Sequence, residues 1–198
     1  MTSSRQTFLA AALRRPAVLG AVAPSSASLA DLLAAVTPTT GRPVVVELGP
    51  GTGAVSGAIR RRLPGNGRHL AVEIDPAMVI HLRDAHPWLD VLHGDAADLT
   101  WLLAERGVRQ ADAVVSGLPW SLFRPERQQL ILHRVATLLA PAGAFTTFAY
   151  RHTRAMTGAR AFHHLVTAMF DEVIISRTIW RNLPPARIYV CRRPLTPS

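Results

Sequence analysis

The chain reads as a doubly wound α/β domain on seven mostly parallel strands, closing with an antiparallel hairpin. Three observations predict this. Short β-branched runs alternate with helical stretches from residue 43 onward, as parallel strands require, because each crossover must climb back over the sheet. The first run ends in Glu47-Leu48-Gly49-Pro50-Gly51-Thr52-Gly53, a tight turn placed where open α/β sheets receive a ligand. The last two runs have no helix between them and are joined by Arg181-Asn182-Leu183-Pro184-Pro185. So short a link permits only an antiparallel return.

Taken in order, residues 1–40 form a separate piece of about two short helices, and 41–198 form the globular domain. In the first helix Phe8, Leu9, Ala12 and Leu13 share a face while Arg5, Gln6, Arg14 and Arg15 mark its ends. Such a basic amphipathic segment either lies in a lipid headgroup layer or packs as a lid over the core. Strands are expected at 43–48, 68–73, 89–93, 111–117, 143–150, 171–180 and 186–192. Helices are expected around 54–62, 76–86, 98–105, 124–139 and 154–169, with Pro76, Asp98 and Arg124-Pro125 at their starts. No internal repeat or low-complexity segment interrupts this order.

At 198 residues and 48% hydrophobic, the chain has enough apolar material for one sizeable core and too much for general disorder. A single cysteine, Cys191, cannot close an internal disulfide, so a cytoplasmic setting is expected. Arg14-Arg15 superficially resembles a twin-arginine export signal, but the apolar stretch behind it starts with Pro16 and is cut by Pro24. The net charge of +9 favours an anionic partner, nucleic acid or a phospholipid surface, unless it only reflects compositional bias.

The glycine turn has the spacing G-x-G-x-G, and Ala54 breaks the G-x-G-x-x-G dinucleotide pattern. That favours S-adenosylmethionine over a nicotinamide. Glu73 closes the second strand about 20 residues later, where a carboxylate can accept from both ribose hydroxyls, while Asp75 suits the cap of the next helix. After the third strand, Asp95 can accept from an adenine amine and Asp98 suits a helix cap. The fourth strand ends Ser116-Gly117-Leu118-Pro119-Trp120, on the expected acceptor side. This stretch resembles the Asn-Leu-Pro-Tyr signature of rRNA adenine dimethylases, with Gly117 in the Asn place and Trp120 in the Tyr place. Glycine has no side chain to hold a planar base amine, which argues against base methylation.

Several stretches together resemble the bacterial phospholipid N-methyltransferases, which methylate phosphatidylethanolamine, and a related group acting on ornithine lipids. They are Pro16 with Gly20-Ala21-Val22-Ala23-Pro24-Ser25-Ser26, the glycine turn, Glu73, Gly94-Asp95-Ala96, Ser116-Gly117-Leu118-Pro119 and Asn182-Leu183-Pro184-Pro185-Ala186. The resemblance runs over nearly the whole chain and implies a Rossmann-like class I methyltransferase, peripheral on the inner face of the membrane, with its N-terminal helix docked on anionic lipid. It implies S-adenosylmethionine as cofactor and S-adenosylhomocysteine as product. The candidate cofactor contacts are Glu47, Gly49, Pro50, Gly51, Thr52 and Gly53 in the turn, then Glu73 with Ile74, Asp95 with Ala96, Ser116 with Gly117, and Ser25 with Ser26 near the sulfonium end.

Methyl transfer from a sulfonium is an in-line displacement that needs alignment and exclusion of water more than acid–base machinery. An amine acceptor must still lose a proton, and Tyr150 and His152 are the candidates to take it. Tyr150 and Trp120 can hold a methylated cation against their faces, while Arg151, Arg181 and Arg187 can meet a lipid phosphate. His163-His164 lacks a third ligand at metal spacing, so no metal is expected. The competing readings are an RNA or small natural-product acceptor, and a lipid-binding protein that has lost catalysis. RNA ranks below lipid because Gly117 replaces the Asn, no RNA-binding domain is attached, and two tyrosines limit base stacking.

Overall fold

The structure is a computed structural model that describes residues 26–195. Ser25 and the predicted basic helix within 1–16 lie outside the described residues. Seven strands form one sheet in the order β3-β2-β1-β4-β5-β7-β6. They are β1 (Val44–Leu48), β2 (Arg68–Glu73), β3 (Asp90–His93), β4 (Ala111–Ser116), β5 (Leu139–Tyr150), β6 (Phe170–Ile175) and β7 (Ala186–Pro194). The helices are α1 (Ala27–Leu33), α2 (Ala54–Arg62), α3 (Pro76–Ala85), α4 (Leu99–Ala104), α5 (Pro125–Leu138) and α6 (Thr157–Met169). All pairings from β3 through β5 are parallel, and β7 runs antiparallel between β5 and β6. The predicted hairpin is present, with β6 rather than β7 as the outer strand.

The central strands are apolar on both faces because helices cover both faces. In β1 the alternation sends Val46 and Leu48 into the larger core, with Leu103, Ile131, Val135, Phe145 and Phe162. Val45 faces the other way, into a second core where α1 and α2 bring Leu29, Leu33 and Ile59 against Ile188. Glu47 shares the face of Val45 and is therefore carried into the protein, 1% exposed. A third, smaller cluster seats Val79 and Leu82 of α3 on Ala71 and Val91. Each such fully buried Leu, Ile or Phe contributes about 1.5–3 kcal/mol.

Caps explain where the helices start. Asp75 accepts from the Ala77 amide and hands over to Pro76 at the first position of α3. Asp98 was expected to cap α4 but makes no side-chain cap bond; Asp95 accepts from the Ala97 amide instead and starts a 3-10 turn at Ala96–Asp98. The side-chain cap bond thus sits three residues nearer the N-terminus than expected.

The strand expected over 171–180 ends at Ile175. Ser176 closes the ladder: its amide donates to the Ile188 carbonyl at 2.9 Å, and its Oγ accepts from the Ile188 amide at 2.9 Å. A side-chain oxygen thus stands where the next main-chain carbonyl would, and residues 177–185 leave the sheet. Only Ile179 bridges back, to Ala186. Asn182, 2% exposed, holds this loop together, donating from Nδ2 to the Pro184 carbonyl at 2.7 Å and accepting the Ser26 amide on Oδ1 at 3.0 Å.

Candidate active site

The carboxyl ends of β1, β2, β4 and β5 converge on two connected hollows. The glycine turn separates them. Gly49, Gly51 and Gly53 all have positive φ, 66°, 57° and 85°, a region that costs other L residues steric strain. Gly49 is also crowded, since a Cβ there would lie 2.9 Å from Leu118 Cδ2. Gly117 is confined by space alone: a Cβ would sit 2.5 Å from the Gly49 carbonyl oxygen. Both glycines are thus set by the close approach of the β1 and β4 ends, and that approach makes the shared floor of the two hollows.

The narrower hollow is lined by Glu73, Ile74, Asp95, Ala96, Phe123 and Arg127, together with Gly49 and Gly117. Glu73 is 3% exposed, with Oε2 accepting the Gly51 amide at 3.2 Å and Oε1 the Asp75 amide at 2.9 Å. Burial pushes its carboxyl above the ordinary range, and the backbone amides of Asp75, Gly51 and Ile74 oppose that push. Asp95 accepts from Arg127 on both oxygens at 2.8 Å while capping at Ala97. A carboxylate has about four lone-pair sites, so capacity remains for a further donor. Arg127 in turn lies over the Phe123 ring at 5.2 Å.

The larger cavity, about 790 Å³, joins Gly117–Ser121 to Phe148–Arg151 and to the inner face of α6 and β7. Glu47, Gly49, Pro50 and Thr52 form its end nearest the turn. Glu47 is engaged below: Ser56 Oγ donates to its Oε2 at 2.7 Å, and His69 Nε2 lies 3.1 Å from the same oxygen. It steadies the start of α2 under the turn.

The remaining sequence candidates fall as follows. Ser116 is fully buried; its Oγ accepts from the Leu118 amide at 3.3 Å and from Trp120 Nε1 at 3.2 Å. Trp120 also donates to Thr147 Oγ1 at 3.0 Å and packs its ring against Phe162 at 4.8 Å. With 3% exposure it forms the wall from behind rather than presenting a free face. Gly51, Gly53 and Ser116 shape the turn and the strand end, outside both linings. Tyr150 lines the cavity, whereas His152 does not; it stacks on the outer side of Tyr150 at 5.6 Å as the chain enters the 3-10 turn Arg151–Ala155. Ser26 caps α1, its Oγ accepting the Leu29 amide at 3.3 Å, and lines neither hollow.

Sequence reasoning passed over Phe148, Arg154, Arg160, Trp180 and Tyr189, all in the cavity wall. Burial raises the Tyr189 phenol above its usual range, so it is a hydrogen-bond donor at neutral pH, as an ordinary tyrosine is, with margin to spare. One signal was present in the sequence: after residue 126 there are ten arginines and only two acids, Asp171 and Glu172. Both acids pair with Arg192 and Arg193, so among the described residues no acid offsets Arg151, Arg154, Arg160 or Arg187.

A seven-stranded sheet with β7 inserted antiparallel, a glycine turn after β1 and a buried acid ending β2 define a Rossmann-like enzyme that uses a nucleoside cofactor. Residues 45–143 match the methyltransferase domain family. Over 188 residues the chain is 36% identical to the ornithine lipid N-methyltransferase of Singulisphaera acidiphila, covering 93% of this chain and 94% of that one. The chain belongs to the methyltransferase domain family and is an S-adenosylmethionine-dependent methyltransferase. A probable ribosomal RNA small subunit methyltransferase A of Pyrobaculum aerophilum is 34% identical over 96 residues, 48% of this chain and 38% of that protein. Among solved structures, human methyltransferase-like protein 13 in complex with SAH superposes with TM-score 0.62 at 21% identity, over 85% of this chain and 80% of that one. An O-methyltransferase from Bacillus cereus in complex with SAH gives 0.65 at 15% identity, over 95% and 89%. These two likenesses concern the fold.

Proposed function

We propose that the protein transfers methyl groups to the amino headgroup of a membrane lipid, phosphatidylethanolamine or an ornithine lipid, at a membrane surface. The observation that carries this reading is the 790 Å³ cavity beside the glycine turn, walled by Phe148, Tyr150 and Tyr189 and edged by arginines that, among the described residues, no acid offsets. A zwitterionic headgroup suits both linings, because its anionic part meets guanidinium groups and its amine meets aromatic faces. The near-full-length likeness to an ornithine lipid enzyme supports the same acceptor class.

In this reading the cofactor spans both hollows. Bound S-adenosylmethionine supplies an electrophilic methyl group on a sulfonium. Glu73 accepts from the ribose hydroxyls, Asp95 from the adenine amine, and the amide-rich turn Gly49–Gly53 carries the methionine end. Gly49 and Gly117 line both hollows, so their backbone is open to a ligand lying across the turn. The acceptor amine, directed by the arginines, lies between Pro119 and Tyr150. Tyr150, or a water it orients, takes the proton that the amine sheds, and Tyr189 stays protonated as a donor. Trp120 holds Thr147 and Ser116 in place rather than touching the acceptor, and His152 supports the ring of Tyr150 from outside.

The test is transfer of labelled methyl groups from S-adenosylmethionine to micelle-dispersed phosphatidylethanolamine, ornithine lipid, ribosomal RNA and a panel of free amines. Label in either lipid is expected, with Tyr150→Phe slower in kcat. Label confined to the RNA or the free amines overturns the lipid acceptor.

A further inference from the structure

Beside the cavity lie exposed apolar side chains that the catalytic reading does not use. The loop after β6 raises Trp180, 66% exposed, and Leu183, 81% exposed, and the head of α6 adds Met156 at 39%. Trp180 lines the cavity from the loop, and the guanidinium of Arg151 sits 4.8 Å from the centre of its ring. Arg154 lies two residues before Met156, and Arg177 and Arg181 flank Trp180 along the loop. No ion pair engages these arginines among the described residues. Large apolar side chains held out in water cost free energy unless a partner covers them. Unpaired arginines around them narrow the partner to an anionic one.

We propose that this patch is a bilayer-docking face, with Trp180, Leu183 and Met156 entering the headgroup layer of an anionic membrane while Arg154, Arg177 and Arg181 meet its phosphates. Tryptophan suits that depth because its indole has an apolar body and a polar N–H. Leucine and methionine add apolar area below it, and arginine gives bidentate contacts to phosphate above. The placement sets the mouth of the cavity against the lipid surface, so a headgroup passes to Tyr150 without its acyl chains leaving the bilayer. Asn182, bonded to both Ser26 and Pro184, stiffens the loop that carries Trp180 and Leu183. This inference rests on the lipid acceptor proposed above, and its test keeps the two apart.

The full chain is mixed with phosphatidylcholine vesicles with and without phosphatidylglycerol, their acyl chains brominated, and tryptophan quenching is read. Quenching is expected with the anionic vesicles and is weakened by salt. It survives Trp101→Phe, a tryptophan equally exposed at 62% but on α4 outside the cavity lining, and is largely lost in Trp180→Phe. Leu183→Asp lowers partition onto the vesicles by about tenfold or more, yet leaves turnover of micelle-dispersed lipid unchanged. Quenching that persists in Trp180→Phe, or wild-type partition in Leu183→Asp, overturns the docking face. So does loss of micelle turnover in Leu183→Asp, which would place that side chain in the acceptor site. Lipid methylated in micelles without quenching of Trp180 refutes the docking face and keeps the acceptor. Quenching by the anionic vesicles from a protein that methylates neither phosphatidylethanolamine nor ornithine lipid in micelles does the reverse.

Discussion

Gly117 offers the sharpest test of how the turn and the acceptor side are built. Replacing it by alanine puts a Cβ 2.5 Å from the carbonyl oxygen of Gly49, a backbone atom that cannot swing aside as a side chain could. Moving from 2.5 Å to even 3.0 Å requires a shift of about half an ångström. That shift is resisted because the Gly117 amide is bonded to the Leu48 carbonyl at 2.8 Å and the Gly49 amide to the Val72 carbonyl at 2.9 Å. Overpacking of this kind costs about 1–3 kcal/mol, which for a domain of this size lowers Tm by about 2–4 °C per kcal/mol. The displaced carbonyl belongs to the turn proposed to carry the cofactor, so affinity for S-adenosylmethionine is expected to fall as well, by about tenfold for each 1.4 kcal/mol transmitted. Differential scanning calorimetry and isothermal titration of Gly117→Ala read the two effects. A variant with wild-type Tm and wild-type cofactor Kd refutes the steric reasoning. Gly117→Asn, which restores the residue found in the base-methylating signature, is expected to lose both properties and to gain no activity on RNA.

Three further outcomes follow from single groups. In the proposed site ionised Glu73 holds the cofactor, and burial raises its pKa, so affinity declines on acidification from a higher pH than an ordinary glutamate near about 4.3 would give; titration calorimetry across pH should show this and Glu73→Gln should flatten it. The sign for folding is opposite, because a carboxyl with a raised folded-state pKa contributes its stability at low pH and loses it as pH rises through that pKa. Asn182→Ala strands the Ser26 amide and the Pro184 carbonyl and should cost about 1–3 kcal/mol in urea unfolding; an unchanged midpoint would show that the loop closes without it. Cys191 is buried with its thiol pushed up to about 12, so it should resist alkylation at pH 8 until the protein unfolds, as mass spectrometry can follow.

The parts legible beforehand were those encoded locally. Val44–Val46 followed by glycines announced a buried strand and a turn, and the positive φ of Gly49, Gly51 and Gly53 is a property of those residues themselves. Pro76 and Pro125 marked helix starts because their missing amides are tolerated only there. What went astray depended on partners far along the chain. Trp120 lines the cavity as the sequence suggested, but the packing of Phe162, 42 positions on, against its ring could not be read locally. Asp98 yielded the cap to Asp95, and Ser176 ended a strand that hydropathy would have continued to residue 180.

From the sequence alone came the alternation that dictates a parallel sheet, the glycine turn and the acidic ends of the second and third strands, since backbone propensity and side-chain type act over a few residues. The tertiary structure alone decided that Gly117 is glycine for want of space, that Glu47 is buried beneath the turn, and that Arg154, Arg160 and Tyr189 meet around one cavity. Those facts depend on which distant segments touch, and that is set by closing the sheet and packing its two faces, which no local pattern records.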